Sequence, residues 1–136
     1  MVFPALLLTT SVCQAVCISG HIPVDREYQQ STFVIKGMPV SQVHVDETPD
    51  GYFLDGTDSE IRVLKVFKGS PKQLTRVFSE NSSGRFPLAV DIPYILFVHE
   101  VHGRLVVDNC GNSIRSSDAQ TLVSKLETLA DSSKGP

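Results

Sequence analysis

Five separate stretches along the middle of the chain are rich in apolar side chains, which in some alternate with polar ones and in others occupy both faces. The first stretch places Val43 and Val45 two positions apart, which is typical of a strand with one buried face. Gly37 and Pro39 lie earlier in the same stretch and indicate a bend or a bulge. We therefore predict one long, curved strand over residues 33–45. The other predicted strands are residues 61–67, 74–78, 93–99 and 104–108.

The period changes to helical spacing near the end of the chain. Apolar side chains recur three and four positions apart at Leu122, Val123, Leu126 and Leu129. Ser117 and Gln120 precede them and fit a capping box, which indicates a helix start. We predict an amphipathic helix over residues 117–131 that packs on the outside of the sheet, and a loop or a short helical turn near residues 25–30.

Five short strands followed by one helix are the elements of a small barrel. The sequence therefore predicts an all-β fold with a terminal helix, namely a five-stranded, OB-like antiparallel β-barrel plus a C-terminal α-helix. The chain has 136 residues, which is enough for one domain with a single core. It contains no internal repeat, and no linker divides it.

The first fifteen residues carry no charged side chain, and the apolar run over residues 2–12 is too short to cross a bilayer of about 30 Å as a helix. Cys13 and Ala15 supply small residues where a signal peptidase requires them. We predict a signal peptide over residues 1–15 and a mature domain over residues 16–136 that is secreted, either to a periplasm or to the extracellular space. The alternative is a buried first strand or helix of a cytosolic protein.

Cleavage after residue 15 would remove Cys13 and leave Cys17 and Cys110 as the cysteines of the mature chain. In an oxidising compartment, two cysteines far apart in sequence are most simply interpreted as one disulfide. Loop entropy gives such a bond about 4 kcal/mol of stabilisation. The alternative is a pair of free, buried thiols in a cytosolic protein.

The formal net charge is −3, so the chain lacks the uniform positive field that attracts nucleic acids or anionic membranes. We predict neither partner and no membrane span. Residues 46–60 are acidic and turn-rich, and their spacing does not match a calcium loop, so we predict a solvated hairpin tip. Basic side chains cluster further on and are interpreted as a charged barrel exterior: Arg62, Lys65, Lys68, Lys72 and Arg76.

The sequence holds no G-x-S-x-G, H-E-x-x-H, phosphate-binding glycine loop or C-x-x-C motif. We therefore predict no enzymatic activity, no catalytic residue and no cofactor. His99 and His102 lie three residues apart, a spacing that points to opposite faces of a strand. They are interpreted as surface or rim histidines, and no metal site is predicted. An N-glycosylation sequon begins at Asn81.

Several stretches together resemble the netrin-like or tissue-inhibitor-of-metalloproteinase family, including its secreted bacterial members. The matching pieces are Cys17, residues 33–37, residues 63–69 ending in Lys68-Gly69, residues 94–97 and residues 107–111. The resemblance implies a secreted barrel that acts by contact with another protein, and it implies that Cys17 is bonded to Cys110.

The chain departs from this family at its amino terminus. Family members begin C-x-C, and Ala15 occupies the first of these positions here. The expected partner of that first cysteine falls within residues 83–86, which contain no cysteine, so both halves of one bridge are missing together. In the animal inhibitors, the first cysteine chelates the zinc ion of the target protease. That mechanism is not carried over to a chain that would begin at Val16.

Our leading functional hypothesis is a non-enzymatic protein-interaction module, secreted or in the cell envelope, with a protein partner for which a protease is one candidate. One alternative is a metalloproteinase inhibitor that uses a non-standard wedge, and another is a small ligand-binding barrel or hydrolase. The predicted interaction residues are Val16 and Cys17 at the amino-terminal edge and Pro49, Asp50 and Gly51 in the acidic turn.

Overall fold

The computed structural model describes Cys17, residues 20–46, Gly51, residues 55–82 and residues 85–134. The predicted signal peptide and three of the predicted interaction residues lie outside this part of the chain, so those predictions stay predictions. The three residues are Val16, Pro49 and Asp50.

Two α-helices and six β-strands form in the described residues. In chain order they are α1 (Val24–Gln30), β1 (Phe33–Val45), β2 (Gly56–Lys68), β3 (Leu74–Glu80), β4 (Tyr94–Val101), β5 (Arg104–Val107), β6 (Ile114–Arg115) and α2 (Gln120–Ser133). A 3₁₀ turn over Ser116–Asp118 precedes α2. No helix in the described residues is long and apolar enough to span a membrane.

Five of the strands form a closed ring in the order β1-β2-β3-β5-β4, because β1 pairs with β4 as well as with β2. The pairs around the ring are antiparallel except for β3 and β5, which run parallel and meet at Phe78 and Val106. The predicted five-stranded, mostly antiparallel architecture with a C-terminal helix is confirmed. The short strand β6, which pairs with β4 beside the ring, was not predicted.

Strand β1 is long and bent, as predicted, and this curvature lets it pair with two neighbours. Its register against β2 shifts at three places, two of which border Gly37 and Pro39. A Cβ atom on Gly37 would lie 2.5 Å from Cγ2 of Ile61, so only glycine fits this crowded bend.

Strand β2 begins earlier than the sequence indicated. Residues 56–60 were predicted to belong to the acidic loop, yet they pair with both β1 and β3. Ser59 is buried while Asp58 and Glu60 are partly exposed, so the strand keeps its alternation with polar side chains in place of apolar ones. The prediction of a loop was wrong here because it rested on acidic composition and turn residues, whereas polar side chains form the alternating pattern of this part of the strand.

Two apolar clusters form among the described residues, one on each side of the sheet. The first fills the interior of the ring and contains Ile35, Ile61, Val77, Tyr94, Leu96 and Val98. The second lies between the outside of the ring and the two helices and contains Tyr28, Val34, Phe67, Ile95, Phe97, Ala119 and Leu126. Strand β4 contributes to both clusters, which explains why it is the most continuously apolar strand.

Helix α2 packs on the outside of the ring through a fully buried Leu126, as predicted, with Leu122, Val123 and Leu129 beside it. The predicted capping box is wrong. Ser117 lies in the 3₁₀ turn, and α2 begins after Ala119 without a side-chain cap. Ala119 is itself buried in the second apolar cluster. Packing therefore fixes the start of α2, where the sequence had indicated a capping hydrogen bond.

Candidate functional site

Cys17 and Cys110 form a disulfide, with an S–S distance of 2.08 Å and their Cα atoms 5.6 Å apart. The bond closes a separation of 93 residues and ties the segment before α1 to the segment after β5. This pairing confirms the prediction made from the cysteine count and from the family resemblance. Gly51, the other described interaction residue, is exposed and has a φ of 69°, as its predicted turn requires.

A buried carboxylate lies in the same region of the fold. Glu27 on α1 is 0% exposed. Its Oε2 is 2.9 Å from Nε2 of His99 on β4, and its Oε1 accepts hydrogen bonds from the backbone N–H of Asn112 (2.6 Å) and from Nδ2 of the same residue (3.0 Å). Asn112 Nδ2 also donates to the carbonyl oxygen of Ile22 at 2.7 Å. We call Glu27, His99 and Asn112 the Glu27 cluster.

The hydrogen bonds of this cluster decide the charge of Glu27. Burial alone would raise the pKa of its carboxyl group, but the hydrogen bonds from His99 and Asn112 outweigh burial, and the net pKa is lowered. The carboxylate is therefore ionised in the folded state at neutral pH. A Cβ atom on Gly111 would overlap this carboxylate, which explains the glycine after Cys110.

An imidazole held by a buried carboxylate also occurs in hydrolases, where it activates a nucleophile. Here the side chain of His99 is 21% exposed, and among the described residues it makes no hydrogen bond to a serine, threonine or cysteine. His99 is partly exposed, as a rim position requires, and through Glu27 it also joins β4 to α1, a contact that the sequence did not predict. The described residues contain no group of three or more histidine, cysteine or acidic side chains that could hold a metal ion.

The contacts of Lys68 and Gly69 explain why this pair of residues stands at the end of β2. Its Nζ donates to the carbonyl oxygens of Tyr28, Gln29 and Ser31 at 2.8, 2.8 and 2.7 Å and so satisfies the end of α1. Burial lowers the pKa of this ammonium group. Gly69 follows with a φ of 86°, and a Cβ atom there would lie 2.6 Å from the carbonyl oxygen of Thr32.

A groove of about 700 Å³ lies where β3, β5 and the start of β1 approach one another. We call it the β3 groove. Its apolar part includes Phe33, Leu74 and Leu105, and its charged part includes Asp58, Glu60, Lys72, Arg76 and Arg104. Leu74 is 47% exposed, which leaves a large apolar side chain in contact with solvent beside basic groups.

The charged groups of the β3 groove differ in how far they are neutralised within the protein. Arg104 lies 3.5 Å from Asp58 and 4.6 Å above the ring of Phe78. Glu60 accepts a hydrogen bond from the hydroxyl of Ser41 at 3.3 Å. Within the part of the chain that the structure describes, Lys72 and Arg76 have no ion pair and no side-chain hydrogen bond.

The structure divides the predicted basic cluster among different roles. Lys65 pairs with Glu127 on α2 at 2.8 Å, and Lys68 caps α1, whereas Lys72 and Arg76 line the groove. The interpretation as a charged barrel exterior did not include the groove. Alternation along a strand shows which side chains face outward but does not show where several strands together form a groove.

Comparisons with known proteins leave the family resemblance untested. No protein-family model matches this chain, and the search of curated proteins finds no match.

Proposed function

We propose that this chain is a non-enzymatic protein-interaction module that works outside the cytoplasm and binds its partner in the β3 groove. The observation that carries the proposal is the groove itself, which combines a partly exposed apolar part with two basic side chains that have no partner in the described residues. Concave apolar surfaces with a few converging polar groups are typical of binding sites.

The proposed location outside the cytoplasm rests on the disulfide and on the predicted signal peptide. Disulfides persist in oxidising compartments and are rare in the reducing cytosol. The Cys17–Cys110 bond supports secretion for this reason. The resemblance to netrin-like and metalloproteinase-inhibitor domains supports the same location and a mode of action by contact.

The buried imidazole–carboxylate pair holds two elements of the fold together, and this structural role favours binding over catalysis as the function of the protein. Glu27 and His99 join α1 to β4, and the remaining oxygen of Glu27 is occupied by Asn112. In the β3 groove, Asp58 is engaged by Arg104, which sits against an aromatic ring. These arrangements satisfy internal charges and leave the basic side chains of the groove for a partner.

Site-directed photo-crosslinking tests the proposal. A benzoylphenylalanine at Leu74, which is 47% exposed, is expected to crosslink a protein in the extracellular or envelope fraction of the producing cells. The matched control carries the same group at Val90, which is 39% exposed and lies outside the β3 groove. Equal crosslinking from both positions, or none from Leu74, would contradict a binding site in the groove.

An inhibition assay separates this proposal from the metalloproteinase-inhibitor alternative. Because Ala15 stands where the family's chelating cysteine is required and the predicted cleavage would leave Val16 first, we expect weak inhibition of metalloproteinases at best. Nanomolar inhibition that is lost when the amino terminus is acetylated would contradict the groove as the functional surface. It would instead identify the amino-terminal edge at Cys17.

A further inference from the structure

We infer that the β3 groove recognises an extended segment of a partner protein in which a large apolar side chain lies next to aspartate or glutamate. This inference rests on the proposed function and adds the chemistry of the partner. It follows from the balance of charge in the groove, from its apolar part and from the direction of the strands that form it.

The charges of the groove favour an anionic ligand although the whole chain is acidic. The lining contains two acidic side chains, Asp58 and Glu60, and three basic ones, Lys72, Arg76 and Arg104, while the chain as a whole carries a formal charge of −3. Local charge, and not net charge, sets complementarity at a contact surface.

The distribution of these charges places the surplus on one side of the groove. Asp58 is paired with Arg104, and Glu60 lies opposite Arg76 in the β2–β3 ladder but outside ion-pair distance of it. Lys72 precedes β3 and lines the same groove. The two basic side chains that have no partner in the described residues therefore belong to β3 and to the loop before it, and the surplus positive charge lies on that side of the groove.

The apolar part of the groove adjoins this basic side. Leu74 lies between Lys72 and Arg76 in sequence and is 47% exposed, and Leu105 and Phe33 complete the apolar surface. An apolar side chain that covers Leu74 would remove exposed hydrocarbon from water and bring its neighbouring residues within reach of the two cations. This arrangement selects for apolar and acidic side chains that are close in sequence.

The shape of the groove favours an extended segment over a helix. Most of its lining residues come from three neighbouring strands, namely β2, β3 and the start of β5, and β3 and β5 run parallel to each other. An extended chain presents alternate side chains to one side at a rise of about 3.3 Å per residue, which matches the spacing of the side chains along β3.

A single-stranded nucleic acid is the other anionic polymer that an OB-like surface could hold. The aromatic side chains of the groove do not favour it. Phe78 is 3% exposed and is covered by Arg104, so its face is not open for base stacking. Phe33 is the other aromatic side chain of the lining, and one ring does not form the series of aromatic rings on which successive bases stack. We therefore assign the groove to a protein segment and treat nucleic acid as an outcome of the test.

Selection from a display library of random twelve-residue peptides tests the inference on the purified mature protein. Enriched peptides are expected to carry aspartate or glutamate within two positions of a large apolar residue. Their affinity should fall at least about tenfold between 50 mM and 500 mM salt, because exposed charges are screened. Fluorescence anisotropy of labelled peptides measures this change, and a labelled oligothymidine of equal length is titrated in parallel.

Charge reversal provides the decisive arm of the experiment. The double variant Lys72→Glu/Arg76→Glu should lose the acidic peptides and enrich basic ones, whereas Lys125→Glu, on an exposed position of α2, should keep the wild-type preference. An unchanged preference in the double variant, no enrichment at all, or tighter binding of oligothymidine would overturn the inference.

The two proposals fail in distinguishable ways. If the crosslinker at Leu74 captures a protein while the selected peptides show no acidic preference, the groove binds a protein of a different chemistry and only the inference is lost. If neither the crosslinker nor the library finds a ligand, the proposed function is lost with it.

Discussion

The Glu27 cluster and the β3 groove both contain ionised side chains, but only the cluster satisfies its charge completely within the protein. In the cluster, each carboxylate oxygen of Glu27 has a donor within 3.0 Å, and the residue is 0% exposed. In the groove, Lys72 and Arg76 have no such partner in the described residues. A charged group that is buried needs partners inside the protein. A charged group at the surface stays hydrated until a ligand displaces the water molecules around it.

This difference separates residues that hold the fold from residues that are available for recognition. Changes in the Glu27 cluster should alter stability strongly, because the remaining groups stay buried without partners. Changes in the groove should alter binding while leaving stability nearly constant, because the altered side chains remain solvated.

The largest effect is expected when the disulfide is removed, because it closes a loop of 93 residues next to the segment that covers Glu27. The double variant Cys17→Ser/Cys110→Ser should lose about 4 kcal/mol of unfolding free energy. Urea unfolding followed by far-UV circular dichroism measures the loss. Wild-type protein unfolded in the presence of a reductant should show the same decrease, and a change below about 1 kcal/mol in both samples would contradict the expected role of the bond.

A smaller loss is expected when the buried carboxylate is removed. Glu27→Ala should cost about 3 kcal/mol, because His99 and the donors of Asn112 lose their acceptor in a buried site. Glu60→Ala, which removes a partly exposed carboxylate of the groove, is the matched control and should cost less than about 1 kcal/mol. Equal losses in the two variants would erase the distinction between the regions.

Acid titration sharpens the same distinction. The pKa of Glu27 is lower in the folded protein than the ordinary value of 4.5, so the folded state favours the ionised form. The contribution of Glu27 to the unfolding free energy is therefore fully present above pH 4.5, and it is lost as the pH falls through the lowered pKa of the folded state. Unfolding free energies measured from pH 6 downward should decrease for the wild type, and Glu27→Gln should flatten part of that decrease. An unchanged slope in Glu27→Gln would show that other carboxylates control acid unfolding.

The sequence predicts much of the fold because the ring and helix α2 each require a regular spacing of buried residues along the chain. A closed sheet has an inside and an outside, so strands such as β3 alternate, and Thr75 and Val77 are buried while Leu74 and Arg76 are exposed. Helix α2 has one buried stripe centred on Leu126. The disulfide was also predictable, because two cysteines remain after the predicted cleavage.

The Glu27 cluster could not be predicted in the same way, because its members are distant in sequence. His99 and Asn112 lie 72 and 85 residues from Glu27, and only the path of the chain brings them together. The one local signal is Gly111, whose missing side chain leaves room for the carboxylate. The β3 groove left no signal in the alternation, since its volume depends on how β3, β5 and the start of β1 are placed.

The smallest effect on stability is expected from the variant that changes binding the most. Lys72→Glu/Arg76→Glu reverses two charges, yet each side chain is exposed and has no partner to lose in the described residues, so the unfolding free energy should change by less than about 0.5 kcal/mol per substitution. Thermal and urea unfolding of this variant, of Lys125→Glu and of the wild type measure the change under identical conditions. A loss of about 2 kcal/mol or more in the double variant alone would mean that Lys72 and Arg76 support the fold, as the Glu27 cluster does. Near-wild-type stability together with a reversed peptide preference would instead assign these two side chains to recognition, because their effect would then be confined to the ligand.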